Sequence, residues 1–328
     1  MSHELTITNG EAEMFYYGEK PWHGLGTEVL QALTAYEAIH AAKLHWPVEK
    51  RPIWFMGMKG LVEANNILDA SGREMNVMVR ADNDLPLGVV GKDYVPIQNH
   101  EAFAFMDSVV QDASAKYHTA GSLRGGRVIW ILMKLPSHIV VGKNDLVDKY
   151  LLMMNRHDGT GKAICKFTAT RVVCQNTLSL AMREAQTTVS IVHTGNMEKK
   201  VSQARKVLGL ANEFFMDLDQ VFDLMYTTKI NDSALDVYLN EVFTKDTEYA
   251  DAEIEVCKNL YHKGAGHEMA IGTLWGAYSA VTEYVDHHRL SGYLESPAKQ
   301  DQYLNSVMVG SGATIKSKAY TAATALIG

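Results

Sequence analysis

Tyr150-Leu-Leu-Met-Met-Asn155 and Ala163-Ile-Cys-Lys-Phe-Thr168 stand on either side of Asp158-Gly-Thr-Gly161. Two apolar runs divided by a pair of glycines read as an antiparallel hairpin, because glycine supplies the positive φ of a tight turn. Upstream, Lys116 to Leu123 and Arg127 to Leu135 flank Arg124-Gly125-Gly126 and predict a second hairpin. Downstream, Val172 to Glu184 sets Val173, Leu178 and Ala181 on one face and is expected to be a helix. Thr188 to His193 reads as one more strand. Antiparallel hairpins followed by a helix place the chain in the α+β class.

Working outward, residues 1 to about 60 look irregular, with Pro21, Pro47 and Pro52 around one helical stretch, Ala35 to Leu44. Glu74 to Arg80 and Leu85 to Val90 are expected strands joined by Asp82-Asn83-Asp84, and His100 to Val110 an expected helix. Beyond Gly195 the pattern turns helical. Val201 to Tyr226 carries apolar residues at three-four spacing, and Asn231-Asp232-Ser233 is an N-cap cluster for the next helix. Further helices are expected near 251–261, 268–290 and 299–308, then a joint at Gly310-Ser311-Gly312 and a helix from Thr314 to Leu326. A boundary near Gly195 would divide an α+β domain, 1–195, from a helical domain, 196–328.

The 328 residues are 47% hydrophobic and 21% charged, a balance that can bury a sizeable core. The longest apolar run, Val128 to Met133, is far short of the ~20 residues of a membrane span. The N-terminus shows no signal-peptide pattern, and three cysteines without a Cys-x-x-Cys pair point to reduced thiols in a cytoplasmic protein. The formal charge of -7 argues against uniform coating of nucleic acid.

That charge is unevenly spread. Lys143 to Lys206 holds eleven Lys/Arg against five Asp/Glu, whereas Val207 to Val256 holds twelve acids against Lys229 and Lys245. Such blocks read either as solvated helix faces or as a polyanion-binding middle with an acidic remainder. On the second reading Lys149, Arg156, Lys162, Lys166 and Arg171 contact phosphates, with Arg124 and Arg127 on the neighbouring hairpin. Gln175, Asn176 and Thr177 beside Arg171 could hydrogen-bond backbone or base edges, or could form a polar face and helix cap. Tyr94, Tyr117, Trp130 and Tyr150 interleave with the basic residues, as a single-strand platform or an ordinary β core would require. Trp22-His23-Gly24-Leu25-Gly26-Thr27 makes either a packed turn or a stacking platform.

No catalytic motif is complete. His157-Asp-Gly-Thr-Gly-Lys162 fails the phosphate-loop pattern, since Arg156 stands in place of the first glycine and Ala163 in place of Ser or Thr. His262, His267, Glu268, Glu283, Asp286, His287 and His288 form a metal-like set, with Glu283 and His287 four apart, but without His-Glu-x-x-His. Cys174 has no local partner that would make it a nucleophile. No cofactor or metal is expected.

Several strings together resemble a phage- and plasmid-borne family known by its Leu-Gly-Thr motif, the domain of unknown function 932. They are Trp22 to Thr27, Leu87-Gly-Val-Val90 with Tyr94, Thr119 to Leu123 with Gly126-Arg127, and Asn155 to Gly159. Arg171 to Leu178, His193-Thr194, Gly272-Thr273 with Trp275, and Ala280 to His287 complete the set. The resemblance implies a mobile-element context, hence the cytoplasm of a bacterial host, and assigns no chemistry. Phage beta-type single-strand annealing proteins are similar in placing antiparallel strands before a helix, need neither nucleotide nor metal, and assemble as rings or helices. The expectation is therefore a homo-oligomeric protein that binds single-stranded DNA or another nucleic acid. Its rivals are a counter-defence factor acting through the acidic helices and a metal-dependent enzyme using residues 262–288.

Overall fold

The computed structural model describes residues 5–18, 25–63, 72, 74–110, 115–171, 176–178, 188–191, 197–243, 249–290 and 311–327. The strands are β1 (Ile7–Thr8), β2 (Glu11–Ala12), β3 (Met14–Tyr17), β4 (Thr27–Val29), β5 (Val48–Arg51), β6 (Trp54–Gly57), β7 (Gly60–Glu63), β8 (Met75–Arg80), β9 (Leu85–Gly91), β10 (Lys116–Leu123), β11 (Val128–Val141), β12 (Asp145–Arg156), β13 (Ala163–Arg171), β14 (Asn176–Leu178) and β15 (Thr188–Ile191). The helices are α1 (Ala35–Ala41), α2 (Asn99–Val110), α3 (Met197–Thr227), α4 (Asp232–Val242), α5 (Ala250–Lys263), α6 (His267–Ala270), α7 (Leu274–Glu283) and α8 (Ser311–Ile327).

The centre is an eight-stranded sheet in the order β14-β13-β12-β11-β10-β3-β4, with β15 also on β13. All its pairings are antiparallel except β3–β4. The two predicted hairpins form as read: Leu123 faces Val128 across the first turn, and Met154 faces Ile164 across the second. The α+β class therefore holds.

One buried cluster joins the sheet to the helices. Phe167 of β13 packs on Phe214 and Phe215 of α3, with ring centroids 5.6 and 6.5 Å apart. The indole of Trp275 on α7 donates to Asp145 at the start of β12, at 2.8 Å. The β11–β12 turn closes against Tyr226, whose ring lies where a side chain on Gly142 would stand.

Five expectations change. Asn176–Leu178, expected within a helix, is a strand on the edge of β13, where ladder hydrogen bonds override helical spacing; 172–175 and 179–187 lie outside the described residues. The first 60 residues are not irregular: β3 lies inside the main sheet, between β10 and β4. β11 does not end at Leu135 but continues through Pro136, which sits exposed at a register shift between Lys134 and His138. The helix expected over 268–290 is divided into α6, α7 and a π-helical turn, Tyr284–His288. Ser311 and Gly312 open α8 instead of forming a joint. The helix expected at 299–308, and Gly195 itself, lie outside the described residues.

Candidate nucleic-acid interface

Side chains alternate between the faces of a strand, so the ladder sorts every predicted contact onto one face or the other. Ile129, Ile131, Met133, Leu151, Met153, Cys165, Phe167 and Ala169 are buried on the helix-covered face. The opposite face holds two cross-strand rows, Trp130–Met154–Ile164 and Leu132–Leu152–Lys166, all half-buried.

The basic residues divide on the same rule. Both hairpin turns lie at one end of the sheet, and that end brings together Arg124, Arg127, Arg156 and Lys162. Arg124, Arg127 and Lys162 are exposed. Arg156 is half-buried, donating to Thr160 Oγ1 at 3.3 Å and lying 3.8 Å from Asp158. Lys166 joins them on the open face, opposite Leu152.

Lys149 does not join them. It lies on the helix side, donates to Ser137 Oγ at 2.8 Å and sits 5.8 Å from the Phe215 ring centre. Burial lowers its pKa, partly offset by Asp219 of α3. Arg171 pairs with Val147 and Asn176 in the ladder, at the end of β13 away from the hairpin turn. Of the seven predicted cations, five gather at the turns and the adjoining open face, and Lys149 lies on the helix side. Gln175 lies outside the described residues, and Asn176 is an edge-strand residue.

Trp22, His23 and Gly24 also lie outside the described residues. Gly26 has φ 104°, and a side chain there would stand 3.2 Å from the Met14 carbonyl. Thr27 opens β4 and pairs with Phe15. The end of this motif is therefore a close-packed entry into the sheet.

Sequence reading missed a junction beneath the hairpin turns. Gly88 on β9 meets the second turn so closely that a Cβ would stand 2.3 Å from the Asp158 carbonyl oxygen. Tyr94 Oη donates to the Arg156 carbonyl at 3.0 Å, and Asn155 Nδ2 to the Ile97 carbonyl at 2.8 Å. His157 is fully buried, its backbone N–H donating to the Arg127 carbonyl and its Nε2 2.8 Å from Asn99 Oδ1. Asn99 Nδ2 donates to the Leu44 and Trp46 carbonyls, so Oδ1 is left to accept, and His157 carries its proton on Nε2. Burial takes the His157 pKa down to about 4. Beside it, Arg80 forms a buried two-pronged pair with Glu13 at 2.5 and 2.8 Å, and Ser122 donates to the same carboxylate. The strings at 87–94, 126–127 and 155–159 thus meet in one place, where they set the pitch of the basic end. Their glycines were the available signal.

A second polar group lies farther along the open face. Asp148 is held by Lys134 at 2.5 Å and His138 at 2.6 Å, with Tyr150 Oη 3.4 Å away and the His118 ring tilted against that of Tyr150. Burial, then Lys134, lowers the His118 pKa against the pull of Asp148. In this group the Asp148 carboxylate offsets the Lys134 charge.

The metal-like set is dispersed. Glu283 is buried and accepts from the Ala265 N–H at 3.1 Å, and Asp286 accepts from the buried Lys316 at 2.7 Å. His287 and His288 are exposed, because the π turn breaks the four-residue repeat that would align His287 with Glu283. Among the described residues no group of three or more His, Cys, Asp or Glu could hold a metal ion. Cys165 is buried, its pKa pushed up to about 12, and Cys257 is raised well above its ordinary value by burial. Cys174 lies outside the described residues. No helix among the described residues is long and apolar enough to cross a membrane.

No curated protein and no solved structure matches this chain. A family model described as a domain of unknown function does match, over residues 86–309, a span that includes both hairpins, Gly88, Tyr94, Asn99 and His157 of the junction, and helices α2 to α7. The chain belongs to that family, DUF932.

Proposed function

We propose that this chain binds single-stranded DNA at the sheet end formed by its two hairpin turns, in a phage- or plasmid-borne setting inside a bacterial cell. The observation that carries the reading is the convergence of Arg124, Arg127, Arg156 and Lys162 on that end, with Lys166 on the adjoining open face. Cations on adjacent turns, held by a close-packed junction, suit a flexible phosphate backbone. Glu213, Asp217, Asp219 and Asp223 are exposed on α3, across the sheet, so a polyanion is steered toward the basic end. Annealing or protection of single strands needs nothing beyond such a surface.

The test is binding of oligonucleotides across a salt series. Affinity should fall steeply with salt, and replacing Arg156 and Lys166 together by glutamine should reduce the log–log slope by roughly one to two units. Absence of binding, or binding indifferent to salt, overturns the proposal. Stoichiometric capture of a host protein through the exposed acids of α3 to α5 would favour the counter-defence reading instead.

A further inference from the structure

The cations at the sheet's end would meet the phosphates of any nucleic acid, so they do not by themselves separate a single strand from a duplex. A single strand also offers unpaired base faces, which bind planar side chains. A row of such side chains stands on α1. Tyr36 is 73% exposed, the most exposed aromatic side chain among the described residues. Its ring lies 4.5 Å from that of His40, one helical turn on. The exposed His40 ring in turn lies 5.0 Å from that of the exposed His45, at an interplanar angle of 25°.

The helix beneath this row is fixed at both ends. Thr34 and Glu37 form a reciprocal cap at its start. At its finish Lys43 takes a left-handed backbone, φ 57°, and pairs with Glu11. The N–H groups of Lys43 and Leu44 donate to the carbonyls of His40 and Ile39, both at 2.9 Å. That turn carries the chain back so that His45 stacks on His40.

His45 leads directly into the basic end. Trp46, the next residue, packs on the first hairpin turn: a side chain on Gly126, between Arg124 and Arg127 in the chain, would stand 2.9 Å from its ring. Asp82 is paired with Arg80 at 2.7 Å and Glu11 with Lys43, so these carboxylates do not face a passing strand unpaired.

We propose that Tyr36, His40 and His45 form a base-stacking row for the single strand whose phosphates lie on Arg124 and Arg127, with one base on the open Tyr36 ring. The row accepts any base, since every base has a π face, and rejects a duplex, whose bases are covered by their neighbours. The inference rests on the DNA reading and adds the base contacts that the cations alone do not supply.

Anisotropy titrations with a DNA single strand, and with a sugar–phosphate strand of the same length lacking bases, test it. The wild type should bind the strand with bases about tenfold more tightly, as one stacked base implies. Tyr36→Ala/His40→Ala should bring the two affinities together while leaving the abasic affinity and its salt slope unchanged. Both side chains are exposed and alanine suits a helix, so circular dichroism and melting should not change. Tyr36→Trp should keep the preference for bases. Equal wild-type affinity for the two strands, a double variant that keeps the preference, or a Tyr36→Trp variant that loses it overturns the inference and leaves the phosphate contacts standing. A wild type that binds neither strand overturns the DNA reading as well.

Discussion

The two faces of the central sheet are made by the same strands, yet they have opposite characters. Leu151, Met153, Cys165 and Phe167 point into a dry core under α3, while Leu152, Met154, Ile164 and Lys166, each one residue away, stay half-exposed. A period of two therefore decides which charge reaches solvent. Lys149 and Lys166 belong to one basic stretch of sequence but lie on opposite sides of the sheet, one under Phe215 and one in the open. Local positive charge in sequence thus overstates the basic surface by whatever fraction the ladder turns inward.

The sharpest way to break this comparison is to empty the covered face. Phe167→Ala should cost about 3–5 kcal/mol in denaturant unfolding, against about 1 kcal/mol for Ile164→Ala on the open face. Equal costs would mean that both faces are buried.

His157 gives the next effect. Its folded pKa of about 4 lies below the ordinary value of 6.5, so the unfolded chain binds more protons between those limits. The stabilisation is present in full above pH 6.5 and is lost as pH falls toward 4, by about 3 kcal/mol. Comparison of the wild type with His157→Gln across this range should show a smaller acid loss in the variant.

Gly88→Ala forces a methyl group against the Asp158 backbone and should destabilise by about 1–3 kcal/mol, read as a lowered urea midpoint. The smallest effect separates the two lysines. Lys149→Met should leave the salt slope of oligonucleotide binding unchanged, whereas Lys166→Gln should lower it by about one unit. Equal slopes in the two variants would erase the distinction between the faces.

The second hairpin was legible because Asp158-Gly-Thr-Gly161 interrupts two runs long enough to show strand character. The N-terminal strands were not, since β1 to β4 are two to four residues long and too short to carry a period. Asn176–Leu178 was misread because a three-residue edge strand is defined by its neighbour, β13, and not by its own spacing. Pro136 read as a strand end because proline cannot donate to a ladder, yet a register shift lets β11 pass through it. The junction was invisible because its partners, such as Tyr94 with Arg156 and Asn99 with His157, lie some sixty residues apart.

By itself the sequence determined the α+β class, the hairpin turns, the capped start of α4 at Asn231 and the family strings, all of which rest on local spacing and turn chemistry. Only the tertiary structure decided which cations share a surface, which glycines are required by close approach, and that Tyr36, His40 and His45 stand uncovered. The reason is physical: local propensity acts within a few residues, whereas exposure is set by what packs above each face, and that is chosen by distant parts of the chain.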